Sequence, residues 1–170
     1  DAAILFSDIL TIPDAMGMEL DFVEGHGPKF NNPIGNENDL RRTIQTKIDT
    51  KLDYVGSAVK LIRASLNENT PLIGFSGSPW TLACYILGGG GSKDDFIQVR
   101  KWLYKQPDLL MLLLEKLTEH IITYLTMQIR KGADAIMLFD SWGGLLSHHN
   151  FPIYSLHYLE KIISRLNESF

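Results

Sequence analysis

One cysteine, Cys84, occurs in the 170 residues. A lone cysteine excludes an intrachain disulfide and a thiolate metal cluster. It packs as a small apolar residue and fits a reducing, cytoplasmic setting. Basic clusters are also missing. The densest groups are Arg41-Arg42 and Arg130-Lys131, and 16 basic against 20 acidic residues leave a net charge of −4, so a nucleic-acid partner is not expected. The longest unbroken apolar run, Leu109 to Leu114, is far short of the roughly 20 residues a membrane helix needs, and no membrane partner is expected. No H-E-x-x-H occurs, no Cys lies near a His, and His148-His149 is the only close histidine pair; no metal site is expected. No G-x-G-x-x-G follows an apolar run, which removes the dinucleotide fingerprint. Gly88 to Gly91 followed by Ser92-Lys93 has the Walker order reversed. It reads as a connection between helices, or as a flap over a cleft.

What is present is a recurring apolar run that ends in small polar residues. Ala2 to Leu10 is almost continuously apolar but carries Asp8. A run of that kind predicts a strand buried on both faces, where an unpaired carboxylate is costly. Pro71 to Phe75 leads into Ser76-Gly77-Ser78, and Ala133 to Phe139 leads into Asp140-Ser141. Parallel barrels gather their active sites at the C-terminal ends of their strands, so Asp8 is the first catalytic candidate. Its structural reading is a carboxylate that caps a turn near Thr11 or pairs with a distant Arg. By strand parity Asp8 should share a face with Phe6, Ile4 and Ala2. Tyr85 reads by itself as a core aromatic. Ser141-Trp142-Gly143-Gly144 reads as a tight turn after a strand.

Between these runs, Met18 to Val23 alternates and predicts an exposed strand, with Glu24 to Pro28 as a turn and Lys29-Phe30 as the start of the returning strand. Asn38 or Asp39 is placed to cap a helix through Thr46. Helices are expected over Leu52 to Leu66, Pro79 to Leu87, Lys93 to Lys105, Pro107 to Lys131 and Asn150 to Asn167. The stripe Leu110, Leu113, Leu114, Leu117, Ile121 and Leu125 should face the core, with Gly132 closing that helix. Strands alternating with helices argue for an α/β fold with a parallel sheet. About three such units fit in residues 1–170, which form one domain; a complete eight-stranded barrel needs about 250 residues. A doubly wound open sheet is the structural alternative. Starting at Asp1 without an initiator Met, at the edge of a strand, and stopping at Phe170 where a helix ends, the chain reads as a segment of a longer protein.

Several blocks together resemble the uroporphyrinogen decarboxylase family. They are Phe6-Ser7-Asp8-Ile9-Leu10, Glu24-Gly25-His26-Gly27-Pro28, Pro71 to Leu82, Gly89-Gly90-Gly91-Ser92-Lys93 and Phe139-Asp140-Ser141-Trp142-Gly143-Gly144. The resemblance implies a segment of an eight-stranded TIM-type barrel, with the N- and C-terminal parts of the barrel absent. It implies stepwise, cofactor-free decarboxylation of the four acetate side chains of uroporphyrinogen III to coproporphyrinogen III, by a cytoplasmic homodimer in heme biosynthesis. Carried over by position, Asp8 is catalytic and substrate-binding. Tyr85 and Ser141 hydrogen-bond the substrate, and Phe139 lines the pocket. The implied arginine pair and substrate-binding histidine lie outside these residues. One departure is Gly88, where the family usually has an acidic residue; that change should loosen the flap without touching a residue given a role. Two other readings stay open: a zinc-dependent corrinoid/thiol methyltransferase of the same superfamily, and a tetrapyrrole-binding protein without activity.

Overall fold

The computed structural model describes residues 1–24, 27–48, 50–89 and 96–169. A three-stranded sheet is ordered β1-β4-β5, with β1 at Ala3–Ile4, β4 at Leu72–Gly77 and β5 at Ala135–Phe139. Both pairings are parallel, setting Ile4 against Ile73 and Phe75 against Met137. Parallel neighbours require crossovers, and helices supply them. Helix α1 (Thr11–Pro13) opens into a wide turn over Asp14–Met18, where Gly17 has φ +91°. A hairpin follows, β2 (Leu20–Val23) against β3 (Gly27–Phe30). Then come α2 (Glu37–Ile44) and α3 (Asp53–Ser65) before β4. Between β4 and β5 run α4 (Pro79–Gly88), α5 (Ile97–Lys105) and α6 (Pro107–Arg130). After β5 a wide turn at Pro152–Leu156 merges into α7 (His157–Ser169).

Helix α6 organises the helical layer. Leu110, Leu113, Leu114, Leu117, Ile121 and Leu125 are all fully buried, as the stripe predicts, and α6 packs against α2, α3, α4, α5, α7, β4 and β5. Gly132, at φ +115°, closes it in a conformation that costs a residue with a Cβ. Its Gln128 solves a local problem. β1 bonds β4 only as far as Leu5, whose N–H reaches the Ile73 carbonyl at 3.3 Å. Beyond that point the Gln128 amide takes both backbone groups of Phe75, accepting from its N–H and donating to its carbonyl at 3.0 Å each. A Cβ on Gly74 would lie 2.5 Å from the Gln128 Oε1, so the glycine keeps that approach open.

Three boundaries differ from expectation. The run from Ala2 to Leu10 is not a strand buried on both faces. Only Ala3–Ile4 lies in the sheet, and Ile4 and Phe6 are 41% and 68% exposed. The reason is topological: among the described residues β1 pairs with one strand only, β4. The parity survives, since Ala2, Ile4, Phe6 and Asp8 are all exposed while Ala3, Leu5, Ser7 and Ile9 are half-buried. Helix α2 is capped by Asn36 rather than Asn38 or Asp39; its side chain accepts from the N–H groups of both. The expected helix over Lys93 to Lys105 is described from Ile97. Gly25 and His26 of the hairpin turn, and Gly90 to Lys93 of the glycine block, lie outside the described residues.

At the opposite end of the sheet, Asp134 accepts from the Leu72 N–H at 2.7 Å and from Arg63 at 2.8 Å, while Arg63 also donates to the Thr70 and Asn67 carbonyls. The Leu72 N–H, with Arg63 second, holds the Asp134 carboxyl below its ordinary value of 3.8. A lowered pKa adds stability above the ordinary value, and that stability disappears as pH falls through the folded-state value. The stability gap between wild type and Asp134→Asn is therefore expected to be widest near neutrality and to close below about pH 4, read by urea denaturation across pH. Gln128→Leu strands two buried backbone groups and should cost about 2–5 kcal/mol in the same assay.

Candidate active site

Because all three strands run the same way, their C-terminal ends share one edge of the sheet. That edge carries Asp8 after β1, Ser78 after β4, and Asp140-Ser141 after β5. Asp8 is exposed and sits in a turn. Its Oδ1 accepts from the Leu10 N–H at 2.7 Å, and its backbone carbonyl accepts from the Thr11 N–H at 3.3 Å. The carboxylate is thus a turn cap, one residue earlier than expected, and the turn fixes its direction. Capping uses one oxygen, and among the described residues Oδ2 has no hydrogen-bond partner.

On the sheet face that carries the exposed Ile4 and Met137, three rings meet. Phe6 stacks on Phe75 with centroids 4.9 Å apart, and Phe139 meets Phe75 edge-on at 5.6 Å and Phe6 at 6.5 Å. This is the face that strand parity assigns to Asp8 and Ser141. Phe139 thus lies in an apolar floor contributed by β4, β5 and the segment that follows β1. Ser141 is exposed at its rim.

Tyr85 belongs to a second aromatic group. It is half-buried on α4, with its ring 5.6 Å from Phe96 and 6.1 Å from Trp142, and Phe96 meets Trp142 at 4.8 Å. It packs against the core as a core aromatic would, but no described residue hydrogen-bonds its hydroxyl. Trp142 is the neighbour of Ser141, so the cluster brings Tyr85 to the Ser141 turn. No described contact joins Asp8 directly to either. Phe96 holds its place with a left-handed φ of +56°. Gly88 makes room for it, because a Cβ there would lie 2.9 Å from the Phe96 ring. The absent side chain therefore does bear on a residue with a role, through Phe96 to Tyr85. Cys84 is fully buried, and burial pushes its thiol far above the ordinary range, so it is no nucleophile.

A hydroxyl network behind these groups escaped the sequence reading. Asp140 accepts from Ser78 Oγ at 2.5 Å, from Ser155 Oγ at 2.6 Å and, more distantly, from Thr81 Oγ1 at 3.4 Å. Trp80 Nε1 donates to the Trp142 carbonyl at 2.9 Å. The hydroxyls come from segments 62, 59 and 15 residues away, and no spacing rule links them. The three-ring floor had a signal, since Phe6 and Phe139 each share parity with a candidate, but joining them needs the strand register.

The arrangement is that of an α/β protein whose polar groups and apolar floor meet at the C-terminal edge of a parallel sheet. Its relatives define it further. The uroporphyrinogen decarboxylase (URO-D) family model matches residues 1–170. The chain is 55% identical over 163 residues to a uroporphyrinogen decarboxylase of Vesicomyosocius okutanii, covering 96% of this chain and 46% of the relative. It is 48% identical over 170 residues to that of Ruthia magnifica, covering 100% and 49%, and 53% identical over 166 residues to that of Hahella chejuensis, covering 98% and 46%. The chain belongs to the uroporphyrinogen decarboxylase family, and it spans about half the length of the curated relatives it matches. Among solved structures, a methyltransferase from Methanosarcina mazei superposes with a TM-score of 0.73 at 24% identity, over 98% of this chain and 49% of that one. That likeness shows the fold alone.

Gly88→Glu should push Phe96 off Tyr85 at a cost of about 1–3 kcal/mol. The expected result is a lower urea midpoint together with a changed near-ultraviolet signal from the Tyr85–Phe96–Trp142 cluster.

Proposed function

We propose that this chain is the part of a uroporphyrinogen decarboxylase that carries its catalytic carboxylate, Asp8. The single observation behind the reading is the placement of Asp8, a carboxylate oriented by its turn at the C-terminal edge, above an apolar floor of Phe6, Phe75 and Phe139. The open sheet face supports a segment of an eight-stranded barrel: parallel sheets are ordinarily covered on both faces, yet Ile4, Phe6 and Met137 are exposed here. The remaining strands of the barrel would close over that face.

Loss of carbon dioxide breaks the bond between an acetate methylene and its carboxyl, and the electron pair flows into the pyrrole ring. Protonating the ring first makes it a cation able to take that pair; the methylene then gains a proton and becomes a methyl group, and the ring gives up the proton it took, which restores the pyrrole. A carboxylate aimed at the pyrrole N–H groups stabilises the cation as it forms. In a site shielded from water a fixed charge of this kind contributes several kcal/mol. Asp8 supplies the charge, the phenylalanine floor supports the ring system, and Tyr85 and Ser141 hydrogen-bond the substrate from the facing turn. The reaction uses no cofactor. The enzyme works as a homodimer in the cytoplasm, and its substrate is uroporphyrinogen III.

The test incubates a full-length protein carrying this chain with uroporphyrinogen under anaerobic conditions and separates the oxidised products by carboxyl number. Wild type should lose four carboxyls in steps. Asp8→Asn keeps an oxygen to accept from Leu10 but removes the charge, so it should fold normally and lose about 10²–10³-fold in kcat/KM; Asp8→Ala should lose at least as much. Full turnover by Asp8→Asn would reduce Asp8 to a turn cap.

A further inference from the structure

Asp140 has no assigned contact with substrate, yet it joins the two segments that carry substrate-facing groups. Its carboxylate is half-buried. Ser78 and Thr81 are fully buried and Ser155 is 1% exposed. Two of these hydroxyls already accept a backbone N–H: Ser78 Oγ from Thr81 at 3.0 Å, and Thr81 Oγ1 from Trp142 at 3.3 Å. Each keeps its own proton to donate to Asp140. Among the described residues no Lys, Arg or His forms an ion pair with it. The charge is offset by the hydroxyls and by the N-terminus of α4, where Ser78 is the cap and Pro79 the first residue. Gly143 keeps the carboxylate's space open, since a Cβ there would collide with it.

Each bond has a geometric consequence. Ser78 and Thr81 open α4, and Tyr85 lies one turn beyond Thr81 on the same helix. Asp140 immediately precedes Ser141, and Thr81 and Trp80 hold the N–H and carbonyl of Trp142. The Trp142 ring then meets Tyr85. We propose that Asp140 is the positioning residue of this site: its carboxylate sets helix α4, with Tyr85, against the turn that carries Ser141 and Trp142. It acts through those residues and does not touch the substrate. The kinetic part of this inference rests on the decarboxylase function proposed for Asp8.

The test compares Asp140→Asn with wild type in a full-length protein carrying this chain. An amide cannot accept from all three hydroxyls, so kcat/KM for uroporphyrinogen should fall about tenfold or more. The deciding measurement is a double-mutant cycle with Tyr85→Phe. If Asp140 acts by placing Tyr85, the added loss in the Tyr85→Phe background should shrink to about threefold or less; equal factors in both backgrounds overturn the proposal. A second readout needs no turnover. In the nitrogen-15 spectrum of the indole N–H groups, Asp140→Asn should shift Trp80 and Trp142 and leave Trp102 in place, whereas movement of all three, or of none, overturns it. Should Asp140→Asn fail to fold, Ser155→Ala removes one buried donor and takes its place in the cycle and the spectrum, where the same results support or overturn the proposal. Absence of turnover in wild type would count against the decarboxylase function, and the indole shifts would still decide the role of Asp140.

Discussion

Parallel pairing of β4 on both of its edges is the constraint on which the rest depends. Parallel neighbours cannot be joined by a tight turn, so the chain must travel back between strands, and it does so through helices. All three strands then end on the same side, which places Asp8, Ser78 and Ser141 on one edge although 133 residues separate the first from the last. An antiparallel sheet of the same strands would scatter them. The polar groups that β1 leaves unpaired where it departs from β4 are taken up by Gln128, so the helical layer completes what the short edge strand cannot.

The two faces of this sheet have different energetic roles. The face toward α3 and α6 is buried and aliphatic, with Leu72, Val59 and Ala133 against Ala3, Leu5 and Ile136. The other face is aromatic and partly exposed. Rings suit it because they present large rigid apolar area at low conformational cost and pack edge-to-face around one another. A charge held beside such a low-dielectric floor acts more strongly than one in water. The buried hydroxyl network around Asp140 is the polar counterpart. It joins a helix and a turn with no ion pair among the described residues, and two of its three donors also accept a backbone N–H.

Much of this was legible along the chain. The leucine stripe of α6 stands at helical spacing and is buried throughout. Pro79 and Gly132 mark helix ends by their backbone restrictions, and the period-2 alternation of Met18 to Val23 marks the hairpin. Other features were legible in kind but misplaced. The run through Asp8 has the composition of a buried strand, yet composition cannot tell a central strand from an edge one. Asn36 wins the cap of α2 over two other polar candidates because its extended backbone, with φ −154° and ψ 177°, aims its side chain at two N–H groups. Gly88 carries no local sign of the Phe96 ring that packs against it.

The sequence by itself determined the alternation of strands and helices, the positions of the apolar stripes, and the family whose blocks it carries, because these depend on neighbours within a few residues and on recognisable local patterns. Only the tertiary structure decided that Phe6, Phe75 and Phe139 form one floor, that Tyr85 reaches the Ser141 turn through Trp142, and that Asp140 gathers three hydroxyls from the start of α4 and the turn before α7. Such groupings arise from strand register and helix packing, which bring together residues 62 positions apart, beyond the range of any local periodicity.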